Sequence, residues 1–130
     1  MTKQATQRPT DAELAILRVL WERGPSTVRQ VHEILSAVRP TVYTTILKLM
    51  QIMNVKGLVR RDKSQRAHVY QPTFTEAETQ KRLVGDLLER AFSGSTASLL
   101  MQALSAKEAS AEELAQIRQI LDEVERGGIQ

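Results

Sequence analysis

The chain has 130 residues, a net charge of +3, 42% apolar residues and only 4% aromatic ones, the balance of a folded protein of one or two small domains. It has no cysteine, which excludes disulfides, cysteine-ligated zinc, iron–sulfur clusters and thiol catalysis. No apolar run approaches the ~18–20 residues needed to cross a bilayer. The N-terminal MTKQATQRPTDAE lacks the apolar stretch of a signal peptide, so a cytoplasmic location without membrane insertion is expected.

Thr10-Asp11-Ala12-Glu13 has the spacing of a capping box. Leu14, Leu17 and Trp21, with Ile16 and Leu20 beside them, continue it as an amphipathic helix. Gly24 stops that helix and Pro25 prevents continuation. Ser26 or Thr27 caps a second helix, on which Val28, Val31, Leu35 and Val38 form an apolar stripe. Arg39-Pro40 interrupts it. A third helix opens at Pro40 or Thr41 and runs to about Lys56, with Val42, Ile46, Leu49, Met50 and Met53 as its buried stripe and Gly57 as its stop.

The period then changes. Leu58-Val59-Arg60-Arg61 and Ala67-His68-Val69-Tyr70-Gln71 are short, β-branched or aromatic segments, and polar Asp62 to Arg66 between them suits a hairpin tip. Pro72 ends the second strand. Thr75-Glu76-Ala77-Glu78 is another capping box and opens a helix carrying Leu83, Val84, Leu87, Leu88 and Ala91. Ser93-Gly94-Ser95 breaks that helix. Ala97 to Leu104 reads as a short one. Ser110-Ala111-Glu112-Glu113 is a third capping box and opens the last helix, whose Leu114, Ile117, Leu121 and Val124 step by helical spacing before Gly127-Gly128. The predicted fold is mainly α: a winged helix-turn-helix of three helices and a two-stranded hairpin over residues 1–73, then a helical region over residues 74–130.

The two parts differ in charge. Residues 1–73 carry a net +7 and residues 74–130 a net −4. A basic module suggests a polyanion partner; the bland alternative is surface scatter. On the third helix, Thr41, Thr44, Thr45, Lys48 and Gln51 lie opposite the apolar stripe. Hydroxyls, an ammonium and a carboxamide on one helix face can bond base edges or phosphates in a major groove. Tyr43 near the N-terminal end could reach a phosphate. Arg60, Arg61, Lys63 and Arg66, on and beside the hairpin, would track flanking phosphates. The alternative for these residues is a solvated helix face and a charged turn.

Residues 74–130 are too few to close a sizeable core alone. The stripes Leu83/Val84/Leu87/Leu88 and Leu114/Ile117/Leu121/Val124 need a partner, either a second copy of the chain or the N-terminal domain. A two-fold dimer would present two reading helices to a palindromic site in double-stranded DNA. His32 and His68 are the only histidines, too few for a zinc site of three or four ligands. No phosphate-binding glycine loop or nucleophile–base arrangement is present. Neither an enzyme nor a metal or organic cofactor is expected.

Glu13-Leu14-Ala15-Ile16-Leu17 with Leu20-Trp21, Ser26 to His32, Tyr43 to Leu47, Lys56 to Val59, and Arg66 to Tyr70 stand in an order and spacing that resembles the penicillinase-repressor family of transcriptional regulators, the BlaI/MecI/CopY type. The resemblance runs from about Thr10 to Val124. It implies a homodimeric repressor on an inverted-repeat operator, often with TACA/TGTA half-sites, and of antibiotic-resistance type. It places Thr41, Thr44, Thr45, Lys48 and Gln51 on the reading helix and Lys63 and Arg66 on the wing. It makes the C-terminal helices the dimer contact and a membrane sensor-protease a candidate upstream partner.

The chain departs from the family pattern in four places. Ile52 stands where an Arg is usual and Val55 where a Lys is common. Gln102-Ala103 stands where staphylococcal-type members are cut between Asn and Phe. The cysteine cluster of the copper-responsive branch is absent. Two other functional classes fit the same residues: a winged-helix module that binds protein, and an architectural DNA binder blind to sequence.

Overall fold

The computed structural model describes residues 8–64 and 66–128. Residues 1–7, with Lys3 of the basic stretch, Gln65 and residues 129–130 lie outside the described residues. The elements run α1 (Asp11–Arg23), β1 (Ser26–Thr27), α2 (Val28–Val38), α3 (Tyr43–Lys56), β2 (Val59–Asp62), β3 (Val69–Pro72), α4 (Glu76–Ala91), α5 (Thr96–Ala106) and α6 (Ala111–Glu125). The fold is mainly helical with a small antiparallel sheet, a winged helix followed by further helices. No helix among the described residues is long and apolar enough to cross a membrane.

Local chemistry sets the helix ends. Thr10 Oγ1 accepts from the Glu13 amide at 3.2 Å, and Glu13 Oε1 accepts from the Thr10 amide at 2.9 Å. Thr27 and Gln30 repeat this reciprocal arrangement at the start of α2, as do Thr75 and Glu78 at the start of α4. Each box satisfies two backbone donors that a helix start leaves orphaned. Gly57 closes α3 at φ +83°, where a side chain would be strained. The Leu58 amide then donates back to the Met53 carbonyl at 2.9 Å, which drives Leu58 into the core.

The chain divides into two compact units, one ending at Val84 and one beginning at Gly85. In the first, Ile16, Leu17 and Leu20 of α1, Val31 of α2, Ile46, Met50 and Met53 of α3, and Val59 and Tyr70 of the sheet make one apolar core. This unit extends past residue 73, where the charge changes sign. Two contacts explain the extension: Trp21 Nε1 donates to the Phe74 carbonyl at 3.0 Å, and the Arg82 guanidinium lies 4.3 Å from the centre of the Phe74 ring. The start of α4 is thereby tied to the winged helix.

The structure corrects several sequence expectations. The sheet has three strands in the order β1-β3-β2, not two. The N-cap of α2 is already extended at Thr27, so Ser26 and Thr27 pair with Tyr70 and Val69 on the free edge of β3. The third helix opens at Tyr43, not at Pro40 or Thr41. Val38 and Val42, placed by spacing on buried stripes, are 87% and 64% exposed, because α2 ends at Val38 and Val42 is the N-cap of α3.

In the second unit Ser95 and Ser110 cap α5 and α6 by accepting from the Ser98 and Glu113 amides, so at α6 only the serine half of the expected capping box is formed. No residue of α5 or α6 is buried within the chain. Of the stripe residues expected at a dimer contact, Leu83, Leu88, Leu114 and Ile117 are half-buried, while Val84, Leu87, Leu121 and Val124 are exposed.

One buried ion pair closes the first unit. Glu13 is only 2% exposed, and the oxygen that serves the capping box also accepts from Lys56 Nζ at 2.8 Å. Lys56 is the last residue of α3, so the bond joins the first turn of α1 to the last of α3. Removing the carboxylate strands a cation and uncaps a helix at once. Glu13→Ala is expected to destabilise the protein by about 3 kcal/mol, and Glu13→Gln, which keeps an acceptor, by less. Urea unfolding of the two variants beside the parent checks both values.

Candidate nucleic-acid interface

α3 is held by one face. Ile46, Met50 and Met53 are buried, which turns Thr44, Lys48 and Gln51 outward on one exposed stripe. Thr45 is exposed at its margin. Ile52 and Val55 are exposed too, the latter at 71%. They add apolar surface to the C-terminal half of this stripe.

Thr41 stands apart from the stripe. It precedes the helix, and its hydroxyl donates to the Arg39 carbonyl at 2.9 Å. Its carbonyl accepts from the Ser36 hydroxyl at 3.3 Å and bonds His32 Nε2 at 2.6 Å, with that nitrogen as donor. The His32 ring also meets Tyr43 edge-on, centroids 5.6 Å apart. His32 thus fixes the α2–α3 turn and the first aromatic of α3 together, a role the lone-histidine reading of the sequence missed. Its proximity to Thr41 across a proline-containing turn was the available clue.

Strand alternation separates the arginines of the hairpin. Val59 is buried on the core side of β2, and Arg61, two residues on, points to the same side, opposite Tyr70. Arg60 points the other way, opposite Gln71, and is exposed. Lys63 lies exposed at the tip. Ser64 hydrogen bonds, its hydroxyl first and then its amide at 2.8 Å, hold the Asp62 carboxyl below the usual carboxylate range.

A cleft of about 510 Å³ opens between α3, the start of α2 and the hairpin. Tyr43 and Gln51 line one wall, Arg29 another, and Arg61, Arg66 and His68 the third. Arg60 and Lys63 do not line it. Arg61 was expected from the sequence only as one of the exposed cations of the hairpin, and Arg29 and His68 were not among the expected site residues. Counting alternate residues from Val59 would have placed Arg61 inward, and recognising Thr27-Gln30 as a capping box would have set Arg29 in the first turn of α2.

Comparison with known proteins is consistent along the chain. The family model for the penicillinase repressor matches residues 9–123. A protein of Mycobacterium tuberculosis (strain CDC 1551), named transcriptional regulator BlaI, is 39% identical over 119 residues, spanning 90% of this chain and 85% of that protein. The penicillinase repressor of Bacillus licheniformis is 28% identical over 118 residues, spanning 88% of this chain and 89% of its own length.

Unlike the starts of α1 and α2, the start of α3 has no side-chain cap. Val42 occupies the N-cap with suitable extended geometry but offers no side-chain hydrogen bond. Val42→Ser supplies the missing acceptor at little cost in burial. It is expected to raise stability by about 1 kcal/mol, read as a higher urea midpoint with an unchanged slope.

Proposed function

Because this chain belongs to the penicillinase-repressor family of transcriptional regulators, which are not enzymes, we propose that it is a sequence-specific DNA-binding repressor. It acts in the cytoplasm as a homodimer on an inverted-repeat operator. The observation that carries the reading is the polar stripe Thr44/Lys48/Gln51 on a helix whose opposite face is locked in the core. Such a helix can enter a major groove without disturbing its own packing. Lys48 can donate to guanine or phosphate, Gln51 can pair with adenine, and Thr44 offers a hydroxyl and a methyl. Exposed Lys63 and Arg66 on the hairpin supply phosphate contacts beside the groove.

The exposed apolar residues of α4, α5 and α6, Leu87, Leu121 and Val124 among them, support a dimer contact. Two copies would set their α3 helices in successive major grooves, ~34–36 Å apart. Occupancy of the operator excludes polymerase. Release follows from weakening the dimer, since a monomer keeps one half-site and loses the linked-binding advantage. A membrane sensor-protease is the proposed upstream input; Gln102 and Ala103, exposed on α5, stand in place of the Asn–Phe pair cut in staphylococcal-type members, so cleavage there is no part of the proposal.

Fluorescence anisotropy tests the reading, with DNA from upstream of the protein's own gene beside a scrambled duplex at two salt concentrations. A preference of ~10³ or more for the first is expected. Equal, salt-sensitive binding to both would instead favour the architectural class, and no binding to either would favour a protein-binding module. Lys48→Ala is expected to weaken specific binding by ~1–3 kcal/mol and to relax one base position. Equal losses on both duplexes would make Lys48 a phosphate contact.

The dimer is tested separately by sedimentation equilibrium. Leu121→Glu sets a charge on the exposed stripe of α6. It is expected to shift the protein from dimer to monomer while leaving the fold of the first unit intact.

A further inference from the structure

We infer that the cleft between α3, the start of α2 and the hairpin seats one DNA backbone phosphate, with Arg61 as the residue that holds it. This rests on the DNA-binding reading and adds to it a contact that carries no sequence information.

Three observations support the seat. First, Arg61 Nε is buried and has no hydrogen-bond partner among the described residues. A buried donor without an acceptor is costly, and a ligand oxygen would remove that cost. Second, Arg29, Arg61 and Arg66 all line the cleft, and no carboxylate does. None of the three makes a salt bridge among the described residues. Three guanidinium groups without a counter-charge select an anion, and the planar fork of arginine matches phosphate oxygens in pairs. Third, one wall of the cleft is α3 itself. Gln51 belongs both to the cleft lining and to the outward stripe. Whatever fills the cleft therefore abuts whatever α3 reads, and the strand bordering an occupied major groove presents phosphates there. The volume, about 510 Å³, accommodates a phosphodiester with its flanking sugars.

Arg61 is half-buried, with its Nε buried, where Arg60 and Lys63 are exposed. Its side chain faces the core side of the sheet, braced across the ladder by buried Tyr70. It is therefore pre-oriented, and less freedom is lost on binding than for an exposed cation.

The test measures affinity against salt for the parent, Arg61→Ala, Arg61→Lys, Arg29→Ala and, as a control on the exposed face of α1, Arg18→Ala. Both the upstream and the scrambled duplex are used, and each variant is first melted to establish that it folds. Arg61→Ala is expected to lose about ten-fold on both duplexes, with the salt slope reduced by about one. Arg61→Lys should keep the slope and lose part of the affinity. Arg29→Ala should reduce the slope in the same way and stands in if Arg61→Ala fails to fold. Arg18→Ala should match the parent.

Loss on the upstream duplex alone would make Arg61 a base contact and overturn the seat. So would parental affinity and slope in a folded Arg61→Ala. Titration with inorganic phosphate, read at the Arg61 Nε–H resonance, separates the sources of the anion. Saturation by phosphate together with unaltered DNA binding by Arg61→Ala would assign the cleft to a free anion and overturn the proposal. If the parent binds neither duplex, the DNA reading itself fails, an outcome distinct from all of these.

Discussion

One constraint governs the first unit: α3 must bury one face and leave the other free. Ile46, Met50 and Met53 anchor it, each 3% exposed or less. Every other element is arranged around that anchor. α1 supplies Ile16, Leu17 and Leu20, α2 supplies Val31, and the sheet supplies Val59 and Tyr70. With aromatics at only 4% of the chain, Tyr70 is the one aromatic in the fully buried set, and aliphatic packing does the rest. A core of this kind tolerates little loss of volume, so the orientation of Thr44, Lys48 and Gln51 is a consequence of packing rather than of their own interactions.

The two ends of α3 are fixed by different means. Its last residue, Lys56, reaches the carboxylate of Glu13, and Gly57 turns the chain so that Leu58 enters the core. That end is tied by charge, hydrogen bonds and burial together. Its first turn has no side-chain cap and depends on the His32 and Ser36 bonds to the Thr41 carbonyl. Helix termini that meet nucleic acid leave backbone donors available to phosphate. With an apolar N-cap at Val42, this end of the helix forgoes the side-chain hydrogen bond that α1 and α2 have at their starts.

What the sequence revealed follows from the length scale of each signal. Capping boxes are local, and those at Thr10 and Thr75 were legible because hydroxyl and carboxylate sit three residues apart. The helices were legible because their stripes repeat over several turns. β1 was not, since two residues have no periodicity and its strand character comes only from the edge of β3. Val38 and Val42 were misplaced because spacing identifies a face but not where the neighbouring helix stops. The inward face of Arg61 could have been read from its register with Val59, but the run of cations around it looked like one exposed cluster. The Glu13–Lys56 pair spans 43 residues, and no local pattern links them.

The contrast between the two units bears on specificity. On the proposed reading, one α3 offers a few side chains to base edges, each worth ~1–3 kcal/mol of discrimination. A single half-site read this way cannot outweigh the ~10⁶–10⁹ competing sites of a genome. The proposed phosphate seat would not help, since a phosphate contact strengthens correct and incorrect sites alike. Discrimination has to come from reading two half-sites at once. That requires a second copy held at fixed spacing, and α5 and α6, with no residue buried within their own chain, have apolar surface to spare for it. On the same proposal, the strength of that contact would set how readily the repressor leaves its operator, so the unit proposed to touch no base would decide when the bases are read.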